Sequence, residues 1–340
     1  MSGARVVRPI LSFLAALVLM GSLFATPVFA QADGMSQAGT GSNPTAQSVN
    51  EQQLLQELQK IEGRVSQPDG KLALLEQPQG RDYRAFHEGA LPWIGGILIL
   101  GMLVLLAIFF FAKGRIRMGT RSGVKIQRFN WFERFNHWMT ATAFIVLAIT
   151  GLNYFFGKRL LMPLMGADAF ATWSYWAKYA HNFIAWPFMA GIVIMLLVWI
   201  KDNIPDRYDV AWLKAGGGFF SGAHPPAARF NAGQKLIFWS VVLGGLALSA
   251  SGIIMLFPFS FADINGMQWA QYVHAVTGVI MVAIILAHIY IGSLGMEGAY
   301  DAMGRGDVDL GWARAHHSAW VEKQEAKRGL PPMRAGTPAE

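Results

Sequence analysis

The 340-residue sequence contains no cysteine. That excludes disulfides, iron–sulfur clusters ligated by this chain, and a haem attached covalently through a C-x-x-C-H stretch. Any metal centre must rely on histidine, methionine or carboxylate ligands, and there are only 8 histidines. Charge is also scarce. Asp, Glu, Lys and Arg make up 14% of the chain against 53% hydrophobic residues, where a soluble domain would carry about a quarter charged residues. No G-x-x-x-x-G-K phosphate loop, dinucleotide fingerprint or nucleic-acid-binding motif is present. The net charge of +7 therefore reads as an excess in the loops of an integral membrane protein, with no nucleic acid implied.

Residues 1–30, MSGARVVRPILSFLAALVLMGSLFATPVFA, have Arg5 and Arg8, an apolar core and a small residue at Ala30. They are expected to be a cleaved secretory signal peptide; an uncleaved anchor is the alternative. Residues 31–90 are expected to form a periplasmic segment. Its first part is rich in Gly, Ser, Gln and Thr and reads as disordered. The stretch 50–62, NEQQLLQELQKIE, has the spacing of a short amphipathic helix.

Five apolar segments follow, at roughly 91–112, 136–156, 180–200, 236–257 and 271–293. Each has about the twenty residues that a membrane-spanning helix needs. Basic residues crowd the stretches 113–134, 201–235 and the tail after 304, and thin out at 157–179 and 258–270. The positive-inside rule makes the first group cytoplasmic. Five crossings from an outside N-terminus also put the C-terminal tail, 301–340, in the cytoplasm. Two separate signals thus predict one topology, in a bacterial inner membrane.

An ionisable side chain at membrane depth is costly and marks function by default. Four histidines qualify: His137 in the second span, His181 in the third, and His274 and His288 in the fifth. A single histidine at a helix end is ordinarily an interfacial or hydrogen-bonding residue, so the pattern has to carry the argument. His274 and His288 are fourteen residues apart. That is about 21 Å of rise and about 1400° of turn, which returns them to nearly one face. His181 matches His274 in depth and His137 matches His288. Two histidines at one level suit a haem held from both axial sides, which leaves no open position on the iron. The expectation is therefore one haem near each membrane surface. A haem-free transporter that uses the same histidines as a proton relay is the alternative. Arg128, Arg134, Arg229 and Lys235 are candidate propionate partners on the inner side, with Lys158, Arg159 and Lys178 outside. The small residues Ala275, Gly278 and Ala287 would let a porphyrin lie close to the backbone. His87, His224, His316 and His317 fall outside the spans and read as solvated.

The stretches ERFNHW (133–138), DNIPDRYDVAWL (202–213), RFNAGQKLIFWS (229–240), the H-x13-H of the fifth span and WARAHHSAW (312–320) together resemble the cytochrome b (gamma) subunits of membrane-bound, respiratory formate dehydrogenases. The resemblance covers roughly residues 125–330. It implies an all-α integral membrane fold: a four-helix di-haem cytochrome b bundle over 125–300. The span at 91–112 would be an additional N-terminal transmembrane helix, which the family lacks. It implies that His181 and His274 ligate the iron of an outer haem b, and His137 and His288 that of an inner one. It further implies a quinone, menaquinone or ubiquinone, bound near Asn231, Gly233, Gln234 and His288. The partners would be an iron–sulfur (beta) and a catalytic (alpha) formate dehydrogenase subunit, beside membrane lipid. This chain would be the quinone-reducing subunit. Formate oxidation would lie on a partner, since no pterin-binding domain fits between the spans. The cytochrome b subunit of a hydrogenase or another molybdoenzyme is the neighbouring alternative. Asn231 also has a purely structural reading, as the cap of a helix whose third residue is Gln234.

Overall fold

The computed structural model describes residues 78–117, 121–218 and 225–328. The expected signal peptide, the polar and amphipathic stretches after it, His224 and the last twelve residues lie outside the described residues. Among those described, five helices are long and apolar enough to cross a membrane: Asp82–Lys113, Trp131–Leu160, Ala167–Asp202, Ala232–Leu256 and Ile264–Gly295. Each contains one of the five apolar runs. The first starts well before residue 91, because the polar stretch from Pro78 is already helical. Here α1 (Pro78–Ala85) passes through a π-turn, Phe86–Ala90, into α2 (Leu91–Lys113). A short strand β1 (Lys125–Gln127) precedes α3 (Trp131–Leu152) and α4 (Ala167–Trp199). Then come α5 (Arg207–Lys214), α6 (Ala232–Leu256), α7 (Ile264–Tyr290), α8 (Ala299–Gly304), β2 (Asp307–Asp309) and α9 (Leu310–Arg328).

Short polar side chains fix where the helices begin. At α3, Asn130 Oδ1 accepts from the Glu133 N–H at 2.9 Å, and Glu133 Oε2 accepts from the Asn130 N–H at 2.9 Å. Asp206 and Asp209 form the same reciprocal box at α5. Asp263 Oδ1 accepts from the Gly266 N–H at 2.8 Å and caps α7. Each box satisfies backbone N–H groups that a helix start leaves without partners.

Helix α3 packs along α4, α4 along α6, α6 along α7, and α2 along the outer side of α7. Small residues allow the close crossings, as lipid-embedded helices require. A side chain at Gly191 of α4 would overlap Thr140 of α3. A Cβ at Gly245 of α6 would sit 2.8 Å from Ile192 Cδ1. By contrast, α7 approaches the backbones of α3 and α4 at few points. Side chains span that gap.

One end of the helices is capped. Strands β1 and β2 pair antiparallel, with Ile126 opposite Val308, a small departure from an all-helical chain. Helix α9 lies against this ribbon. Phe129, Trp199, Phe230, Trp312 and Trp320 fill a buried apolar core beneath it.

His317 belongs to this cap and is 0% exposed, which corrects the expectation of a solvated residue. Its Nδ1 meets the Ala228 carbonyl at 2.9 Å and its Nε2 meets Arg128 Nη2 at 3.1 Å. The carbonyl can only accept and the guanidinium can only donate, so the imidazole is neutral with its proton on Nδ1. Burial, and then the Arg128 charge, hold His317 well below its ordinary pKa. Burial, followed by the neighbouring Arg229, also pulls Arg128 down to about 9. Unfolded His317 takes a proton near pH 6.5 and folded His317 does not. The cap is therefore fully stable above about pH 6.5 and weakens as pH falls below it. The slope should approach about 1.4 kcal/mol per pH unit. Fluorescence of Trp312 and Trp320 during denaturant unfolding at several pH values measures this slope. His317→Gln should flatten it.

Candidate di-imidazole site

The four sequence-selected histidines come together as two pairs. The His181 and His274 rings are 6.1 Å apart between centroids, tilted by 61°. The His137 and His288 rings are 6.1 Å apart, tilted by 60°. Depth alone predicted this pairing. A ring nitrogen about 2 Å from a metal ion puts the ring centre roughly 3 Å away, so imidazoles on opposite sides of one ion stand roughly 6 Å apart. Both pairs have that spacing. Among the described residues no group of three His, Cys, Asp or Glu gathers as a metal site. Each level therefore offers two facing imidazoles and, among the described residues, no further His, Cys, Asp or Glu donor gathered with them. That donor set fits a metal already held in a planar macrocycle, as in haem. Between the two levels, residues 275–287 of α7 read AVTGVIMVAIILA, and beyond Thr277 no polar side chain continues along the helix to pass a proton.

Two hydroxyls that the sequence reading missed orient the first pair. Thr150 Oγ1 lies 2.8 Å from His181 Nδ1, and Ser251 Oγ lies 3.0 Å from His274 Nδ1. Each hydroxyl already gives its proton to its own helix, Thr150 to the Val146 carbonyl at 2.8 Å and Ser251 to the Ala247 carbonyl at 2.6 Å. The oxygens must then accept from the rings. Nδ1 carries the proton, and Nε2 of each imidazole is left for the metal. The backbone approaches each ring at the next residue. A Cβ at Gly151 would lie 3.5 Å from His181 Cε1, and one at Gly252 would lie 3.4 Å from His274 Cε1. At Gly278, one of the small residues expected to face a porphyrin, a Cβ would meet only Leu248, at 3.9 Å.

The cations expected at the His137 level are mostly committed elsewhere. Lys235, 4% exposed, donates to Asp206 and Asp209, both at 2.9 Å. Arg229 pairs with Glu133 at 2.6 Å and Asp202 at 2.8 Å. Arg128 serves His317 and the Arg229 carbonyl. The sequence could not show that acidic residues of the 202–209 loop would claim them first. Arg134, one turn before His137, bonds the Arg305 carbonyl through Nη1 and keeps a buried Nε without a partner. Arg128 likewise keeps a buried Nη1 without a hydrogen-bond partner. A cleft of about 910 Å³ opens at the capped end, lined by Arg128, Glu133, Lys201, Asp202 and Arg229 among others. None of the four paired histidines lines it.

At α6 the structural reading of Asn231 holds. Asn231 Oδ1 accepts from the Gln234 N–H at 3.0 Å and Gln234 Oε1 accepts from the Asn231 N–H at 3.1 Å. Both side-chain oxygens are thereby used, and the two amide nitrogens remain as donors. Gly233 makes room for α5, since a Cβ there would lie 2.7 Å from Trp212 Cη2. Helices α6 and α7 run antiparallel, with Gly252 beside His274 and Gly244 beside Met281. Continuing that register puts His288 level with about residue 237, so Gln234 lies about 4.5 Å of helix rise nearer the capped end.

The sequence profile of the prokaryotic cytochrome b561 family matches residues 128–306. The chain is 30% identical over 213 residues to the cytochrome b556(Fdn) subunit of the nitrate-inducible formate dehydrogenase of Escherichia coli K12, covering 60% of this chain and 94% of that one. It is 32% identical over 203 residues to the formate dehydrogenase cytochrome b556(fdo) subunit of the same organism, covering 58% and 92%. A formate dehydrogenase cytochrome b556 subunit of Haemophilus influenzae is 28% identical over 198 residues, covering 56% and 80%. The matched region holds all four paired histidines and the 202–209 and 229–240 stretches, and the chain accordingly belongs to the prokaryotic cytochrome b561 family, beside the cytochrome b subunits of formate dehydrogenases.

Proposed function

We propose that this chain is the membrane-anchor electron-transfer subunit of a formate dehydrogenase. It takes electrons from an iron–sulfur partner on the periplasmic side and delivers them to a quinone near the cytoplasmic side. The observation that carries the reading is the pair of matched imidazole couples, 6.1 Å each, fourteen residues apart along α7. Two b-type haems, one held by His181 and His274 and the other by His137 and His288, would supply one-electron transfer without bond chemistry. The chain's own residues do the rest. Helices α3, α4, α6 and α7 form the four-helix di-haem domain, and α2 adds an outer wall against α7. Thr150 and Ser251 fix the ring tautomers of the outer pair, and Arg134 offers a cation to the inner level.

The quinone site is proposed at the α6 mouth, with Asn231, Gly233 and Gln234 on one side and His288 on the other. The Asn231 and Gln234 amide nitrogens are donors suited to a quinone carbonyl. The capped end is taken as cytoplasmic because the basic loops lie there. Protons for quinol formation then come from the cytoplasm while electrons arrive from outside, which adds to the proton-motive force. The formate-oxidising site belongs to a partner chain.

A reduced-minus-oxidised spectrum of the purified chain, with haem extracted and counted, tests this reading. The expected result is b-type bands and two haems per chain. A chain without b-type bands would overturn it.

A further inference from the structure

The environments of the two imidazole pairs differ, and the difference has a direction. Around His181 and His274 the sequence repeats. Leu147-Ala-Ile-Thr150-Gly151 on α3 faces His181, and Leu248-Ser-Ala-Ser251-Gly252 on α6 faces His274. In both copies the hydroxyl spends its proton on its own helix and accepts from Nδ1–H. At the other level His137 Nδ1 is buried without a hydrogen-bond partner.

An acceptor on Nδ1–H draws the proton outward and makes the ring a stronger electron donor through Nε2. A stronger donor favours the more highly charged, oxidised iron, which lowers the reduction potential. We infer that Thr150 and Ser251 are positioning residues that hold the haem on His181 and His274 at a lower potential than the haem on His137 and His288. The chain is thereby biased to pass electrons from the outer level to the inner one. This rests on the ligand assignment proposed above. It adds a residue-level cause for the direction of flow.

The test is a potentiometric titration of the full chain in its native membranes, followed in the visible spectrum. The component lost in His274→Ala identifies the outer haem. Thr150→Val and Ser251→Ala should each raise the midpoint of that component. At the potential where the unaltered haem is half reduced, the reduced-to-oxidised ratio should rise about threefold per hydroxyl removed, because only the part of the hydrogen bond's ordinary net strength that differs between oxidised and reduced iron moves the midpoint. Together the two changes should give roughly tenfold. The inner component should not move, and Thr150→Ser should restore the unaltered midpoint. Haem content per chain is read alongside. Ser251→Ala removes a single oxygen and gives an arm independent of any packing change on α3. An unmoved outer midpoint in the haem-retaining variants would overturn the inference, as would a shift confined to the inner component. If His274→Ala leaves both components intact, the ligand assignment itself fails, and the inference falls with it.

Discussion

Replacing His274 with alanine should remove one haem from the protein, leave the other, and stop electron delivery to quinone. The ring it deletes is one of only two donors at its level, 6.1 Å from His181, and no third His, Cys, Asp or Glu gathers there among the described residues. The loss should exceed the roughly 10- to 100-fold cost of altering groups that merely support a ligand. Residues 279–287 separate the two levels on α7 by apolar side chains, so the remaining pair should keep its own centre. Extracted haem should fall from two per chain to one, and quinol formation in membranes supplied with formate should fall to background. His288→Ala should leave the opposite component. A His274→Ala protein with two haems and full quinol formation would show that these rings do not hold the outer centre.

The parts of this arrangement that were legible in the sequence depend on long-range regularity. Apolar runs of about twenty residues survive any detail of packing, because a bilayer sets their length. The fourteen-residue interval between His274 and His288 fixes both depth and face, because helix geometry is rigid. The capping box at Asn231 is equally local, and it formed. What stayed hidden depends on which side chains meet across helices. Taken singly, Thr150 and Ser251 carry no signal in the sequence, since such residues bond their own helix carbonyls in any membrane helix. The signal that could have found them is the short L-x-x-[S/T]-G repeat, each copy at the depth of a ligand. His317 was read as solvated because it lies outside the spans. It is buried because the α9 segment folds back over β1 and β2 to build a small core at the capped end. That contact joins residues nearly 190 positions apart, and no periodicity announces it.

The largest stability effect outside the ligands is expected at Lys235. The sequence suggested a cation for the inner haem, but the ammonium lies between Asp206 and Asp209, with its side chain 5% exposed. Those two aspartates also cap the start of α5, where Asp209 Oδ2 accepts from the Asp206 N–H at 2.7 Å and Asp206 Oδ1 from the Tyr208 N–H at 2.8 Å, so the lysine pins α5 and its loop to the first turn of α6. Removing one partner of a buried ion pair leaves the other charge uncompensated and costs about 3–5 kcal/mol. Lys235→Met keeps the aliphatic stem and deletes the charge, which isolates that cost. The variant should unfold at lower denaturant concentration and become sensitive to proteolysis within 203–218. Lys235→Met combined with Asp206→Asn and Asp209→Asn should recover part of the loss, because no carboxylate is then left unpaired. Both proteins should still bind two haems per chain. If Lys235→Met instead keeps its unfolding midpoint and loses the haem on His137 and His288, the lysine serves a propionate and the pairing with Asp206 and Asp209 is secondary. That outcome would move the anchor of the inner centre from Arg134, on the ligand's own helix, to the base of α6, beside the proposed quinone mouth.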